Sequence, residues 1–155
     1  MWWRRVRWFL ILVALCAIAT CPSAKRSCIA QNRAQEAEDL VSVIGDRVAS
    51  VVATTGKVPP NAAGPSPQPG CCEQGGTCKP EAAVWTAQGW RDLAFSIDGE
   101  YRYTYQYVPD PSGASAIVRA TGDLDCDGVG GTYELTLTVQ GTSVRRAWRR
   151  KNPYE

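Results

Sequence analysis

Between Tyr101 and Tyr107 the chain alternates without a break: Tyr101, Tyr103, Tyr105 and Tyr107 are separated by Arg102, Thr104 and Gln106. A two-residue period belongs to a β-strand and not to a helix, so this stretch predicts a strand with one aromatic face. Such a face is expected to be the half-buried side of a sheet, with a carbohydrate- or base-stacking surface as the alternative. The pattern continues on both sides. Leu93, Phe95 and Ile97 alternate ahead of an Asp98-Gly99 turn, which predicts a preceding strand and a tight hairpin. Ala116 to Thr121, Tyr133 to Val139 and Val144 to Arg150 follow, the last two joined by a turn at Gln140 to Ser143. Residues 71–151 are therefore expected to form an antiparallel β domain of four to five strands, with 152–155 as a tail.

Inside that domain lies Asp123-Leu-Asp125-Cys-Asp127-Gly-Val129, with Glu134 eleven residues after the first acid. Carboxylates at every second position, a glycine for the sharp turn, a backbone carbonyl from Val129 and a distal Glu134 make the ligand pattern of a Ca²⁺ loop. A helix-loop-helix hand would need helices on both sides, and both flanks here read as strands. The sequence thus predicts a Ca²⁺-type loop joining two strands, against a metal-free acidic turn. The same four acids are too closely spaced along the chain for a substrate cleft, so no enzymatic role is expected of them.

Upstream, Ala37, Leu40, Val41, Ile44, Val48, Val51 and Val52 recur at three- and four-residue intervals. Residues 23–56 are expected to hold an amphipathic helix, periodic over 29–55, whose apolar stripe meets the sheet. Gly56 and then Pro59-Pro60 end it. Residues 57–70, with Pro65, Pro67 and Pro69, read as an extended connector. At the N-terminus, an apolar run from Trp8 to Cys21 follows Arg4, Arg5 and Arg7, and Pro22 closes it. Residues 1–22 are expected to be a signal peptide, cleaved after Ala17-Ile-Ala19, or a retained membrane anchor, with lipidation at Cys21 as a third course. The whole is an α+β chain with the helix and sheet segregated along its length.

The chain carries seven cysteines and no histidine. Without histidine, the usual neutral-pH general base, the Ser-His and Cys-His nucleophile pairs and most zinc sites are missing. Cys71, Cys72, Cys78 and Cys126 follow an export-type N-terminus without Cys-x-x-Cys pairs, so disulfides formed outside the cytoplasm are expected. Adjacent Cys71 and Cys72 need different partners, and Cys78 and Cys126 are the two at hand, in either pairing. The net charge is only +2, but Arg145, Arg146, Arg149, Arg150 and Lys151 crowd the C-terminus around Trp148. This cluster is either a charged guard on an edge strand or a patch for nucleic acid or another anionic surface.

Taken with Val58-Pro-Pro60, the cysteine turn, Trp85 through Gly89-Trp90-Arg-Asp-Leu-Ala-Phe95, and Ala120-Thr-Gly-Asp-Leu-Asp-Cys-Asp-Gly128, the sequence resembles the globular half of type IV pilin-like proteins, pseudopilins included. Cys126 stands where such loops usually carry glycine. The apolar stretch followed by a polar amphipathic helix is similar in outline. The short basic leader, Gly-Phe-type processing site and early glutamate of those proteins have no counterpart between Met1 and Pro22. The resemblance implies a non-enzymatic structural or accessory protein, exported and inner-membrane anchored facing the periplasm. If the N-terminus is cleaved, it implies a cell-surface or secreted protein. Its implied partners are the membrane and other pilin-like subunits.

Overall fold

The computed structural model describes residues 31–154, so the expected signal or anchor at 1–22 and the start of the expected helix lie outside the described residues. Among the described residues, no helix is long and apolar enough to cross a membrane. Helix α1 spans 31–55 and stops at Gly56, whose positive φ of 69° lets its N–H reach back to the Val52 carbonyl. Five strands follow: β1 (Ala63–Ser66), β2 (Thr104–Pro109), β3 (Ser115–Gly122), β4 (Gly131–Gln140) and β5 (Ser143–Lys151). They form one sheet in the order β1-β2-β3-β4-β5, every neighbour antiparallel, so that the chain meanders from one edge to the other.

The stripe on α1 and one face of this sheet make the core. Ala34, Ala37, Val41, Ile44, Val48 and Val52 are buried on the helix, while Leu40 and Val51 are only half-buried at its margin. Opposite them lie Tyr105 and Tyr107 of β2, Ala116, Val118 and Ala120 of β3, and Tyr133, Leu135 and Leu137 of β4. The register puts these residues in line: Tyr105 pairs with Ala120 and Ala120 with Tyr133, while Tyr107 pairs with Val118 and Val118 with Leu135. Bulky residues on β2 and β4 thus flank small ones on β3. Gly45 lets the helix come close over this floor, since a Cβ there would sit 2.7 Å from Leu135 Cδ2. Burying one Val, Ile or Leu stabilises by roughly 2 kcal/mol, whereas an exposed ion pair adds about 0–1 kcal/mol. Apolar contact therefore decides that helix and sheet join. The pairs Glu36–Arg102, Asp46–Arg146 and Glu38–Arg150 set where along the sheet the helix lies.

Two expectations need correction. No strand forms over Leu93 to Ile97, and Asp98-Gly99 is not a hairpin turn. That segment runs without a ladder after a short helix, α2 (Gln88–Asp92). Leu93, Phe95 and Ile97 are nonetheless buried, packed with Trp85, Trp90 and Tyr101 in an aromatic cluster. Alternate burial needs only a chain lying on a core, not a hydrogen-bonded neighbour. Conversely, the Pro-rich connector holds β1, an edge strand whose register shifts between Ala63 and Ser66. Prolines are tolerated at such edges and bulges because only one side of the strand is paired.

The four tyrosines of the alternating run are all buried, at 0–1% exposure, but the strand expected over the whole run forms only from Thr104: Tyr105 and Tyr107 lie in β2, Tyr101 makes an isolated bridge with Cys78, and Tyr103 precedes the ladder. Burial pushes the phenols of Tyr103, Tyr105 and Tyr107 above their ordinary value, and those of Tyr101 and Tyr133 upward as well.

Gly89 holds α2 against the segment leading into β1, where a Cβ would lie 2.2 Å from the Ala62 carbonyl oxygen. Gly89→Ala is expected to lower the unfolding free energy by at least about 2 kcal/mol, and a denaturant midpoint equal to wild type would refute that clash. Because phenol pKa values are raised in the fold, the tyrosines favour the native state below about pH 10, the unfolded value, and oppose it as pH rises further. With the exposed Tyr154 replaced by phenylalanine (Tyr154→Phe), tyrosinate absorbance from the five buried tyrosines is therefore expected to appear together with loss of the fold in one alkaline transition. Gradual ionisation with circular dichroism unchanged would contradict their burial.

Candidate metal centre

The β3–β4 connection carries the acids. Asp123 follows directly on Gly122, the last residue of β3, and β4 resumes at Gly131. Gly122 is itself required there: a Cβ would come within 2.5 Å of the Tyr103 ring. Within the loop, Asp123 accepts hydrogen bonds from the N–H groups of Gly128 at 2.8 Å and Asp127 at 3.3 Å. Asp127 in turn accepts one from Val129 N–H at 2.8 Å. These bonds wind the segment into a tight turn. Cys126 and Gly128, at φ of 60° and 96°, absorb the curvature. The hydrogen bond from Gly128 is the main reason the Asp123 carboxyl is held below the usual carboxylate range.

One oxygen each of Asp123, Asp125 and Asp127 lies within 4.8 Å of the other two. Carboxylate oxygens this close together are candidates for sharing one cation. Among the described residues none of the three forms an ion pair with a basic group. Asp125 and Asp127 are exposed and Asp123 is half-buried. Three acids leave three or more positions of a Ca²⁺ shell to carbonyls and water.

Glu134 stands apart from this cluster. It lies in the middle of β4, on the side of the sheet away from α1, where Arg119 donates to its Oε2 from Nε and Nη2 at 3.1 and 2.7 Å. A strand fixes direction residue by residue, and the register Arg119↔Glu134 gives this acid a cation of its own. Val129 is 47% exposed.

The loop is tied covalently. Cys71 is bonded to Cys78, and Cys72 to Cys126, the residue between Asp125 and Asp127. Adjacent cysteines thus go to different partners. The first bridge closes the short turn (Cys71–Gln74) that precedes it, and the second spans 54 residues. By loop-closure entropy the longer bridge is worth roughly 4 kcal/mol and the shorter roughly 2.5 kcal/mol. From the helix, Arg33 Nη1 donates to the Leu124 carbonyl at 3.2 Å. The acid turn is held by a disulfide on one side and by α1 on the other.

Strand alternation divides the C-terminal cations. Arg146 and Arg150 lie on the helix side, Arg146 on Asp46 at 2.5 Å and Arg150 on Glu38 at 2.8 and 2.9 Å, with Arg150 also 5.3 Å over the Trp148 ring. Arg145, Arg149 and Lys151 belong to the opposite face, in register with Thr138, Glu134 and Thr132. The five residues do not form one continuous patch around Trp148. Comparison with protein-family models, curated proteins and solved structures gives no match to this chain.

Since the folded pKa of Asp123 is depressed, its hydrogen bonds favour the fold above about pH 4, the ordinary aspartate value, and fade as pH falls through the lower folded value. Carboxyl carbon NMR is expected to place the Asp123 midpoint below that of a peptide aspartate, with the Gly128 amide shift moving in step. A midpoint at the peptide value would mean these bonds are not kept.

Proposed function

We propose that this protein is a non-enzymatic, pilin-like structural or accessory subunit whose disulfide- and Ca²⁺-stabilised β domain is displayed outside the cytoplasm. Residues 1–22 serve as its membrane anchor, or as a signal removed on release to the cell surface. The observation carrying the reading is the loop Asp123–Gly130, where a disulfide at Cys126 fixes three converging carboxylates at the turn between two strands. Such a site suits a structural cation. Ca²⁺ would cancel the mutual repulsion of Asp123, Asp125 and Asp127 and lock the turn that sets the β3–β4 register. Val129 can add its carbonyl from within the turn, and water would complete the shell. A long helix lying on an antiparallel meander is consistent with the pilin-like layout. Two bridges in one small domain fit an oxidising compartment.

The acids stand on an exposed turn rather than in a cleft, and the buried phenols resist ionisation, so neither group is arranged for proton transfer. Neighbouring pilin-like subunits and the membrane are the partners this reading assigns.

In a thermal melt, Ca²⁺ at tenfold excess over its Kd adds about 1.4 kcal/mol, a rise in Tm of roughly 5 °C. Asp125→Ala is expected to abolish the rise while leaving the metal-free Tm nearly unchanged. A melt indifferent to both Ca²⁺ and chelator would remove the cation from the proposal.

A further inference from the structure

The two borders of the sheet are built differently. β1 is four residues long, includes Pro65 and runs on into Pro67 and Pro69, so its outer side offers few main-chain donors. β5 extends for nine residues without a proline or glycine, and as the last strand of the sheet it has β4 on one side only. Every second residue along it therefore directs its N–H and C=O outward. On the face away from α1, Arg145, Arg149 and Lys151 are exposed, and none of them has a carboxylate within ion-pairing distance among the described residues. Glu134, the acid across the ladder from Arg149, is engaged by Arg119. A notch of about 110 Å³ opens between Thr132, Glu134, Arg149 and Lys151.

A second copy of the chain is a poor occupant for this edge. Antiparallel pairing of β5 with itself about Ala147 would set Arg145 of each copy opposite Arg149 of the other, and like charges directly opposed are destabilising. We propose instead that β5 receives an extended acidic segment of another protein as a sixth strand. Main-chain hydrogen bonds give the added strand its grip, and carboxylates two and four residues apart meet Lys151, Arg149 and Arg145 in turn. Its other face presents apolar side chains beside Trp148, which is half-buried on the helix side.

The test uses the full chain at about 50 mM salt, where charges about 10 Å apart still interact. The probe is a fluorescent nine-residue peptide alternating glutamate with valine. Saturable binding is expected, weakened at least tenfold by Arg149→Glu with Lys151→Glu, with both proteins melting alike. Methylating alternate peptide amides, which leaves charge intact, is expected to abolish binding, and hydrogen exchange of β5 amides is expected to slow in the complex. Should those substitutions disturb folding, the methylated peptide decides alone. Equal binding of the methylated peptide overturns strand addition. Tighter binding of single-stranded DNA of matched charge does the same, in favour of a general polyanion surface. No binding at low salt overturns it too, leaving the cations as a guard against aggregation.

Discussion

The contact of α1 with the sheet governs the rest of the molecule. Its buried Val, Ile and Ala side chains meet a floor of Tyr133, Leu135, Leu137 and the β2 tyrosines, while β3 contributes only Ala116, Val118 and Ala120 along its middle. That choice of small residues makes a trough between two taller rows. A helix lying in such a trough is limited in sideways movement by shape, and the ion pairs along its flanks limit sliding. Tyr107 completes the far end by donating from its hydroxyl to the Pro59 carbonyl at 2.7 Å, tying the chain just after the helix to β2. At the other end Arg33 reaches the acid turn. The helix therefore links the two ends of the domain.

The acid turn depends on this frame more than on its own residues. Three carboxylates of like charge disfavour closeness, and the hydrogen bonds from Gly128 and Val129 hold two of them through the backbone. The disulfide at Cys126 removes much of the freedom by which the turn would relieve the repulsion. A glycine at position 126 could not make that link. Here a side chain with φ of 60° is accepted for the sake of a bond to Cys72. The covalent anchor and the acid spacing belong to one local design.

Much of this was legible in the residues. The helical stripe at three- and four-residue spacing, the second half of the tyrosine run, the flanks of the acid loop and the need for Cys71 and Cys72 to part company are local patterns, and local patterns survive folding. What was not legible depends on neighbours. Leu93, Phe95 and Ile97 alternate as a strand does, yet their partners are the rings of Trp85 and Trp90 rather than another backbone. Ala63 to Ser66 looked like linker because proline hides strand character, and only β2 beside it supplies the pairing. Glu134 fits a twelve-residue metal loop by count, but the count ignores Arg119, which pairing brings opposite. The C-terminal cations looked like one patch for the same reason: a list of neighbours in sequence does not say which side of a strand each one takes.

The prolines at β1 limit how copies of the sheet can be joined. Edge-to-edge growth into a continuous ribbon needs two receptive borders on every unit, one for the unit before and one for the unit after. With one border closed by Pro65, this domain can stand only at the end of such a row. It is shaped as a stop, with the β5 edge as its one place for strand pairing.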